Sequence, residues 1–262
     1  MTLSIRSLTQ GYGDTTILDS VDVEIERGEF VSVLGPNGSG KSTLIKTVCR
    51  VMKPRGGTIT VDGEDITMAD PKKFSRMIGY VPQRYITSDY MQVFNAVLVG
   101  RAPYMSWSYS KNDFAMASAA IDAMGLNDLM RKYTNDLSGG QLQKVIIARA
   151  LAQCPDYYIL DEPTSALDLR NQLDTLRSVK TFMTDRGAGA LIALHDLNLA
   201  MRFSDKVVML KDGHVHACGR PEDVITEKNI SDVYNVSSEI VEGRDGTYVH
   251  ICEDRPDRYT IN

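Results

Sequence analysis

The chain has 262 residues, of which 43% are hydrophobic and 24% are charged, a balance that excludes collagen-like, mucin-like and wholly disordered chains. Its 34 acidic and 29 basic residues give a net charge of −5, which argues against a general nucleic-acid coat because phosphate binding requires a basic face. The sequence has no apolar run near the roughly 20 residues of a membrane-spanning helix, and its first residues lack the basic and then apolar order of a signal peptide.

The first third of the chain predicts two strands before a glycine-rich loop. Val21, Val23 and Ile25 alternate with acidic residues, which is typical of a half-buried strand. The apolar run 30–34 predicts a fully buried strand, and a helix is expected to begin near Lys41. A further strand over 58–61 is followed by a tight turn at Asp-Gly.

The middle of the chain predicts helices. Apolar residues recur at helical spacing after Ser110, a candidate N-cap with Asp113 three residues later, and a second helix follows Gly139. Strands resume at 157–161, 190–194 and 206–210, with a helix between the first two. Buried strands that alternate with helices indicate a mainly parallel α/β sheet. The tail from about residue 236 predicts a hairpin that turns at Asp245 and Gly246.

The four cysteines are Cys49, Cys154, Cys218 and Cys252. They lie far apart, with no CxxC pair and no spacing typical of disulfides. We expect reduced thiols in a cytosolic protein, with structural rather than reactive roles, since free cysteines are usually buried and inert.

The segment 35–43, Gly-Pro-Asn-Gly-Ser-Gly-Lys-Ser-Thr, matches the P-loop pattern GxxxxGK[ST]. Glycines allow backbone N–H groups to surround phosphate oxygens, and the N-terminus of the following helix favours an anion. Lys41 is expected to reach the β- and γ-phosphates, and the Ser42 hydroxyl to bind Mg²⁺. The residues predicted to hold the nucleotide here are Gly35, Asn37, Gly38, Gly40, Lys41, Ser42 and Thr43. The pattern predicts a nucleoside triphosphate site.

A second motif is the apolar run 157–160, which ends in Asp161 and Glu162. Two carboxylates at a strand end are a weak signal alone, but with a P-loop they predict hydrolysis. Asp161 would hold Mg²⁺, and Glu162 would polarise the attacking water.

The run 137–141, Leu-Ser-Gly-Gly-Gln, together with these two motifs resembles the signature of ATP-binding-cassette (ABC) ATPases. The resemblance implies an α/β P-loop NTPase (RecA-like) core, an N-terminal antiparallel β subdomain and an inserted α-helical subdomain that carries the signature. It implies an ATPase domain over 2–237, with the core at about 2–86 and 156–237, the helical subdomain at about 87–155 and a C-terminal extension at 238–262.

The same resemblance assigns further site residues. Tyr12 matches the aromatic residue that stacks on adenine, Gln83 the glutamine that contacts Mg²⁺, and His195 the histidine that contacts the γ-phosphate. With Glu162, Gln83 and His195 complete the expected catalytic set. The signature residues Ser138, Gly139, Gly140 and Gln141, and the loop residue Asp168, are expected to cover the ATP held by a second subunit. The resemblance therefore implies ATP and Mg²⁺ as cofactors and a second ATPase subunit, in the simplest case another copy of this chain.

Three flanking segments narrow the resemblance to ATPases of iron–siderophore, haem and cobalamin importers: 97–104 with its Gly-Arg-Ala-Pro, 195–200, and 219–226. Importers of other cargoes, such as molybdate, share some of these features. The resemblance implies separate transmembrane permease subunits, an extracytoplasmic substrate-binding protein that acts indirectly, and a peripheral position on the cytoplasmic side of the membrane, without a nucleic-acid partner.

Two alternatives stay open at the level of sequence. A non-transport ABC ATPase, such as a component of an iron–sulfur assembly scaffold, is also a single short cassette. The aromatic residues Tyr104, Trp107 and Tyr109 allow two arrangements, packing under the helical insertion or lining a groove for a membrane subunit.

Overall fold

The computed structural model describes residues 1–83, 90–244 and 246–252. Its strands are β1 (Thr2–Tyr12), β2 (Thr15–Glu26), β3 (Phe30–Leu34), β4 (Gly56–Val61), β5 (Glu64–Asp65), β6 (Ile78–Val81), β7 (Tyr157–Asp161), β8 (Gly189–Ala193), β9 (Lys206–Lys211), β10 (His214–Gly219), β11 (Ser238–Gly243) and β12 (Gly246–Ile251). Its helices are α1 (Lys41–Val48), α2 (Pro71–Met77), α3 (Val93–Leu98), α4 (Lys111–Ala123), α5 (Gly139–Gln153), α6 (Leu169–Thr184), α7 (Leu197–Phe203), α8 (Pro221–Val224) and α9 (Glu227–Tyr234). None of the described helices is long and apolar enough to cross a membrane.

The central sheet has the strand order β10-β9-β3-β8-β7-β6. All neighbours in it are parallel except β10, which pairs antiparallel with β9. Strands β3, β7 and β8 are buried at every position, as expected for strands covered on both faces. The predicted mainly parallel α/β sheet is therefore confirmed, and it gathers the carboxyl ends of β3, β8, β7 and β6 at one edge.

A second sheet, in the order β2-β1-β4-β5, is wholly antiparallel. The inward residues of β2, among them Val21, Val23 and Ile25, are buried while the acidic residues between them are exposed. They share one apolar cluster with Leu44 and Ile45 of α1. The predicted antiparallel β subdomain is thus confirmed, and it packs over the helix that follows the glycine loop.

Helices α3, α4 and α5 pack on one another, with Val97, Ile121 and Ile147 fully buried among them. Helix α4 begins as predicted. The Ser110 hydroxyl accepts a hydrogen bond from the Asp113 backbone N–H, and the Asp113 carboxylate accepts one from the Ser110 backbone N–H. This reciprocal capping box fixes the first turn of α4.

The Gly100-Arg101 pair joins these helices. A Cβ atom on Gly100 would lie 2.1 Å from the carbonyl oxygen of Arg149, so only glycine permits this approach to α5. The Arg101 guanidinium donates to Asp113 at 2.9 Å and to the carbonyl of Ala152 at 2.9 Å. The ion pair is buried, with both side chains 5% exposed. The segment identified above as a family marker therefore ties α4 to the C-terminal end of α5, where a cation is favoured.

The three aromatic residues considered together from sequence do not form one cluster. Trp107 is fully exposed. Tyr104 lies under the Arg101 guanidinium, at 3.9 Å, and its hydroxyl donates to the carbonyl of Cys154. Tyr109 packs edge-on against Phe114 of α4. The three aromatic residues therefore have different surroundings: Tyr104 packs on the buried Arg101 cation, Trp107 faces solvent, and Tyr109 packs on α4.

The tail forms the predicted hairpin, with β11 and β12 paired from Ser238 and Ile251 to Gly243 and Gly246. Asp245, the other predicted turn residue, lies outside the described residues. The structure describes no disulfide among the four cysteines. Cys49 is buried, whereas Cys218 is exposed on the outer face of the edge strand β10.

We predict that Asp113→Asn lowers the free energy of unfolding by about 3 kcal/mol or more, because it leaves the buried Arg101 cation without its partner. Asp174→Asn is the control. It removes exposed ion pairs with Arg170 and Arg177 and should cost less than about 1 kcal/mol. Urea unfolding at neutral pH measures both, and equal losses would contradict the structural role of the pair.

The same pair gives a pH dependence. Burial alone would raise the pKa of Asp113, but hydrogen bonds from Ser110 and Arg101 outweigh it and lower that pKa. A carboxyl group with a depressed folded-state pKa stabilises the protein above its unfolded-state pKa, and this contribution is lost as the pH falls through the folded-state value. The difference between wild type and Asp113→Asn should therefore shrink only in strong acid.

Candidate functional site

The loop after β3 has the backbone conformation that the P-loop pattern predicts. Gly35 and Gly40 adopt φ values of 149° and 105°, which side chains rarely tolerate. A Cβ atom would also lie 2.4 Å from the Leu210 carbonyl oxygen at Gly35, and 2.5 Å from a methyl carbon of Leu18 at Gly40. Glycine is therefore required at both positions for two reasons. A side chain would disfavour the backbone conformation, and a Cβ atom would collide with a neighbouring group.

Helix α1 begins directly after this loop, and its N-cap, Gly40, has no side chain with which to cap it. Its first backbone N–H groups therefore favour an anionic ligand. Next to them is a cavity of about 270 Å³ lined by Tyr12, Ile17, Asn37, Gly38, Gly40, Lys41, Ser42, Thr43 and Glu162. The structure thus gathers most of the predicted nucleotide-binding residues around one cavity.

Lys41 is 5% exposed. Its ammonium group donates to the carbonyl oxygens of Gly35 at 2.6 Å and Pro36 at 3.0 Å. Burial lowers the pKa of Lys41, while the nearby carboxylates of Glu162 and Asp161 act in the opposite direction. Because its hydrogen bonds go to neutral carbonyls, the positive charge stays available for a phosphate group.

Asp161 ends β7 and is buried, and the Ser42 hydroxyl donates to its Oδ1 atom at 3.0 Å. Burial raises the pKa of Asp161, and adjacent Glu162 adds to this, whereas the Ser42 hydrogen bond, Lys46 and Lys41 oppose it. A hydroxyl and a carboxylate side by side are oxygen donors that suit Mg²⁺. Among the described residues, no group of three or more His, Cys, Asp or Glu side chains could hold a metal ion. The predicted ligand Gln83 is outside that set of residue types, and phosphate and water would complete the coordination of a Mg²⁺ ion here.

The other two predicted catalytic residues, Gln83 and His195, both contact Glu162. The Gln83 side-chain amide donates to one carboxylate oxygen at 2.5 Å, and His195 Nε2 contacts the other. Gln83 comes two residues after β6, Glu162 one after β7, and His195 two after β8. Because these three strands are adjacent in the sheet, their carboxyl ends bring the three side chains together.

The backbone of Glu162 has a φ of 49°, a left-handed conformation that is uncommon outside glycine and clusters at functional sites. The turn after it is closed by Ser165, whose backbone N–H and hydroxyl both donate to the Glu162 carbonyl oxygen, at 3.2 and 3.1 Å. No sequence pattern signalled this backbone conformation.

The signature residues occupy a different place. Ser138 and Gln141 form a capping box that starts α5, through bonds of 3.3 and 3.1 Å, and Asp168 caps α6. Ser138, Gly140, Gln141 and Asp168 line a second cavity of about 570 Å³, while Gly139 faces open space. Within one chain, the structure therefore does not bring the signature to the P-loop cavity.

Two residues of the site were missed from sequence. Ile17 lines the first cavity with Tyr12, and the Gly13-Asp14 turn that pairs the start of β2 with the end of β1 was the available signal. Lys46 acts on the Asp161 carboxylate from the same helix as Lys41. Tyr12 itself is 52% exposed.

Comparison with known proteins places the chain in a family. The ABC transporter family model matches residues 18–165. An uncharacterised ABC transporter ATP-binding protein of Methanocaldococcus jannaschii is 45% identical over 240 residues, which span 92% of this chain and 94% of that protein. The petrobactin import ATP-binding protein FpuD of Bacillus anthracis is 36% identical, over 91% of this chain and 88% of that protein.

Solved structures share the fold. A chain of a metal-chelate type ABC transporter in an inward-facing conformation has a TM-score of 0.81 at 26% identity, covering 96% of both chains. A dimeric bacterial ABC transporter cassette has a TM-score of 0.76 at 30% identity, covering 84% of this chain and 99% of that one, and a post-hydrolysis dimer with bound ADP and phosphate has a TM-score of 0.74. Family, relatives and fold agree that this chain belongs to the ABC ATPases and is the ATP-binding subunit of an ABC transporter.

Proposed function

We propose that this chain hydrolyses ATP with Mg²⁺ to power the import of a metal chelate through separate membrane subunits. The observation that carries the chemistry is the convergence of Gln83 and His195 on the Glu162 carboxylate, beside a cavity built from the P-loop.

In this proposal the P-loop amides, the N-terminus of α1 and Lys41 bind the β- and γ-phosphates. Ser42 and Asp161 hold Mg²⁺, which when bound neutralises charge on the phosphates. Tyr12 stacks on the adenine ring. The remaining P-loop residues Gly35, Asn37, Gly38, Gly40 and Thr43 shape the phosphate cradle.

Glu162 accepts a hydrogen bond from the attacking water and draws off its proton as the water oxygen bonds to the γ-phosphorus, which releases ADP and phosphate. Gln83 donates to Glu162 through its amide nitrogen, which leaves the amide oxygen for Mg²⁺. His195 holds the other side of the carboxylate and contacts the γ-phosphate. Two side chains thus orient one base, which reduces the entropy lost in reaching the transition state.

ABC ATPases act as dimers with membrane permease subunits in importers. For this chain we propose a homodimer in which Ser138, Gly139, Gly140, Gln141 and Asp168 of one subunit complete the ATP site of the other. The separation of the two cavities within one chain supports this arrangement, since the P-loop residues line one cavity and the signature residues line the other.

The names of relatives support the cargo class. FpuD of Bacillus anthracis is named for petrobactin import, CbrD of Dickeya dadantii for achromobactin transport and BtuD of Halobacterium salinarum for cobalamin import. These names favour an iron–siderophore, haem or cobalamin type of cargo over molybdate, and import over a non-transport scaffold. We place the chain peripherally on the cytoplasmic side of the membrane, with a substrate-binding protein acting from the other side.

The chemistry is tested by Glu162→Gln. ATP binding should persist, because the amide keeps the size of the side chain, while phosphate release should fall by about 100-fold or more, because the amide cannot accept the proton. Glu26→Gln, at an exposed carboxylate in β2, is the matched control and should hydrolyse ATP normally. Wild-type turnover in Glu162→Gln would disprove the assignment of the base.

The dimer is tested in the Glu162→Gln background, where ATP should convert monomers to dimers in sedimentation velocity runs. Adding Gly139→Asp should abolish ATP-dependent dimerisation, because a carboxylate would face the phosphates bound by the partner. Gly139 has no neighbour within 4 Å, and an acidic residue in the first turn of α5 suits the helix dipole, so folding and ATP binding by the monomer should be unchanged. Dimers that form equally with Asp at residue 139 would contradict the shared site.

The transport role is tested by co-purification with a membrane permease and reconstitution in vesicles. Labelled iron chelate or cobalamin should accumulate only with ATP, and Glu162→Gln should abolish accumulation while the complex stays assembled. Accumulation of molybdate alone would overturn the cargo class. Recovery of the chain only with iron–sulfur assembly proteins would overturn import itself.

A further inference from the structure

We propose that Asn198 is a positioning residue, through which the C-terminal hairpin β11–β12 holds His195 against Glu162. The inference rests on the role given to His195 in the proposed function, and it assigns a task to the hairpin and to an asparagine outside both cavities of the site.

The contact is a pair of hydrogen bonds between the Asn198 side chain and the backbone of one residue in β12. The amide nitrogen of Asn198 donates to the carbonyl oxygen of Val249 at 3.2 Å, and the Val249 backbone N–H donates to the amide oxygen at 2.7 Å. A side-chain amide has both a donor and an acceptor, so it occupies the outer edge of β12 as a neighbouring strand would.

The contact also fixes where the hairpin lies. The Val249 side chain is 5% exposed and belongs to the main apolar core, in contrast to its exposed neighbours in β12. On the other strand, the Ile240 backbone N–H donates to the Glu227 carboxylate of α9 at 3.1 Å. The hairpin is therefore attached at two points, one of which is the first turn of α7.

That first turn is directly continuous with His195. Asp196 caps α7, with its carboxylate accepting from the backbone N–H groups of Asn198 at 2.7 Å and Leu199 at 3.0 Å. In the first turn of α7, Leu197 packs against the core but is only partly buried, and full burial begins with Leu199 and Ala200. His195, Asp196 and Asn198 are exposed. A largely exposed first turn frays more readily than the buried part of a helix, so a further contact adds to what the Asp196 cap provides. The bond pair to Val249 supplies that contact three residues from the catalytic imidazole.

The test is Asn198→Ala in the full chain. We expect kcat for ATP hydrolysis to fall about tenfold, because His195 is less well oriented toward Glu162, with the KM for ATP changed less than twofold. Asn229→Ala is the matched control. It removes a similar amide bond, to the carbonyl of Val224 at 2.8 Å, in a helix without a direct link to His195. It should lower the thermal midpoint to a similar extent and leave kcat within twofold of wild type.

A double-variant cycle distinguishes positioning from general destabilisation. If Asn198 acts through His195, Asn198→Ala should change the residual turnover of His195→Ala by less than twofold. A tenfold further loss in that background, or wild-type kcat in Asn198→Ala alone, would overturn the inference. Wild-type turnover in His195→Ala would instead overturn the proposed role of His195, so the two failures are separable.

Discussion

The site depends on one backbone constraint, the left-handed conformation of Glu162 at the end of the buried strand β7. A non-glycine residue in this region costs on the order of 1–3 kcal/mol, and the cost is offset by the strand before it and the Ser165 turn after it. The adjacent strands β6 and β8 end beside it and deliver Gln83 and His195 to its two oxygens. The parallel order of the sheet therefore brings the three predicted catalytic residues together.

In the proposed function, the charges around Glu162 explain why a polyphosphate would bind together with a cation. Asp161 and Glu162 are adjacent carboxylates, both nearly buried, and they border a cavity suited to an anion. Lys41, Lys46 and the α1 N-terminus provide positive potential beside these carboxylates. Ser42 and Asp161, with the predicted ligand Gln83, would hold a Mg²⁺ ion, and the charge of that ion would lessen the repulsion between the carboxylates and the phosphates.

Much of this arrangement was predictable from the sequence. Strands β3 and β7 have the predicted bounds, because buried parallel strands are short apolar runs with polar or glycine boundaries. The P-loop, the capping box of α4 and the hairpin pairing were likewise predictable from local sequence, whereas the capping box of α5 was not predicted. The rest depends on distant contacts. The bonds between Asn198 and Val249 join residues 51 positions apart, and the φ of Glu162 follows from the turn packed around it rather than from its own side chain.

Local and distant contacts also act together on the helices α4 and α5. Helix α5 starts at the signature, with Ser138 as its cap, and ends where Arg101 binds the carbonyls of Ala152 and Gln153. It has 15 residues, a length of roughly 22 Å at 1.5 Å per residue. Because Arg101 is also paired with Asp113, the segment 99–104, α4 and α5 are joined at one buried charge. A force applied to that segment would therefore reach Ser138 along a single continuous helix, so the signature and its distant attachment point would move as one body.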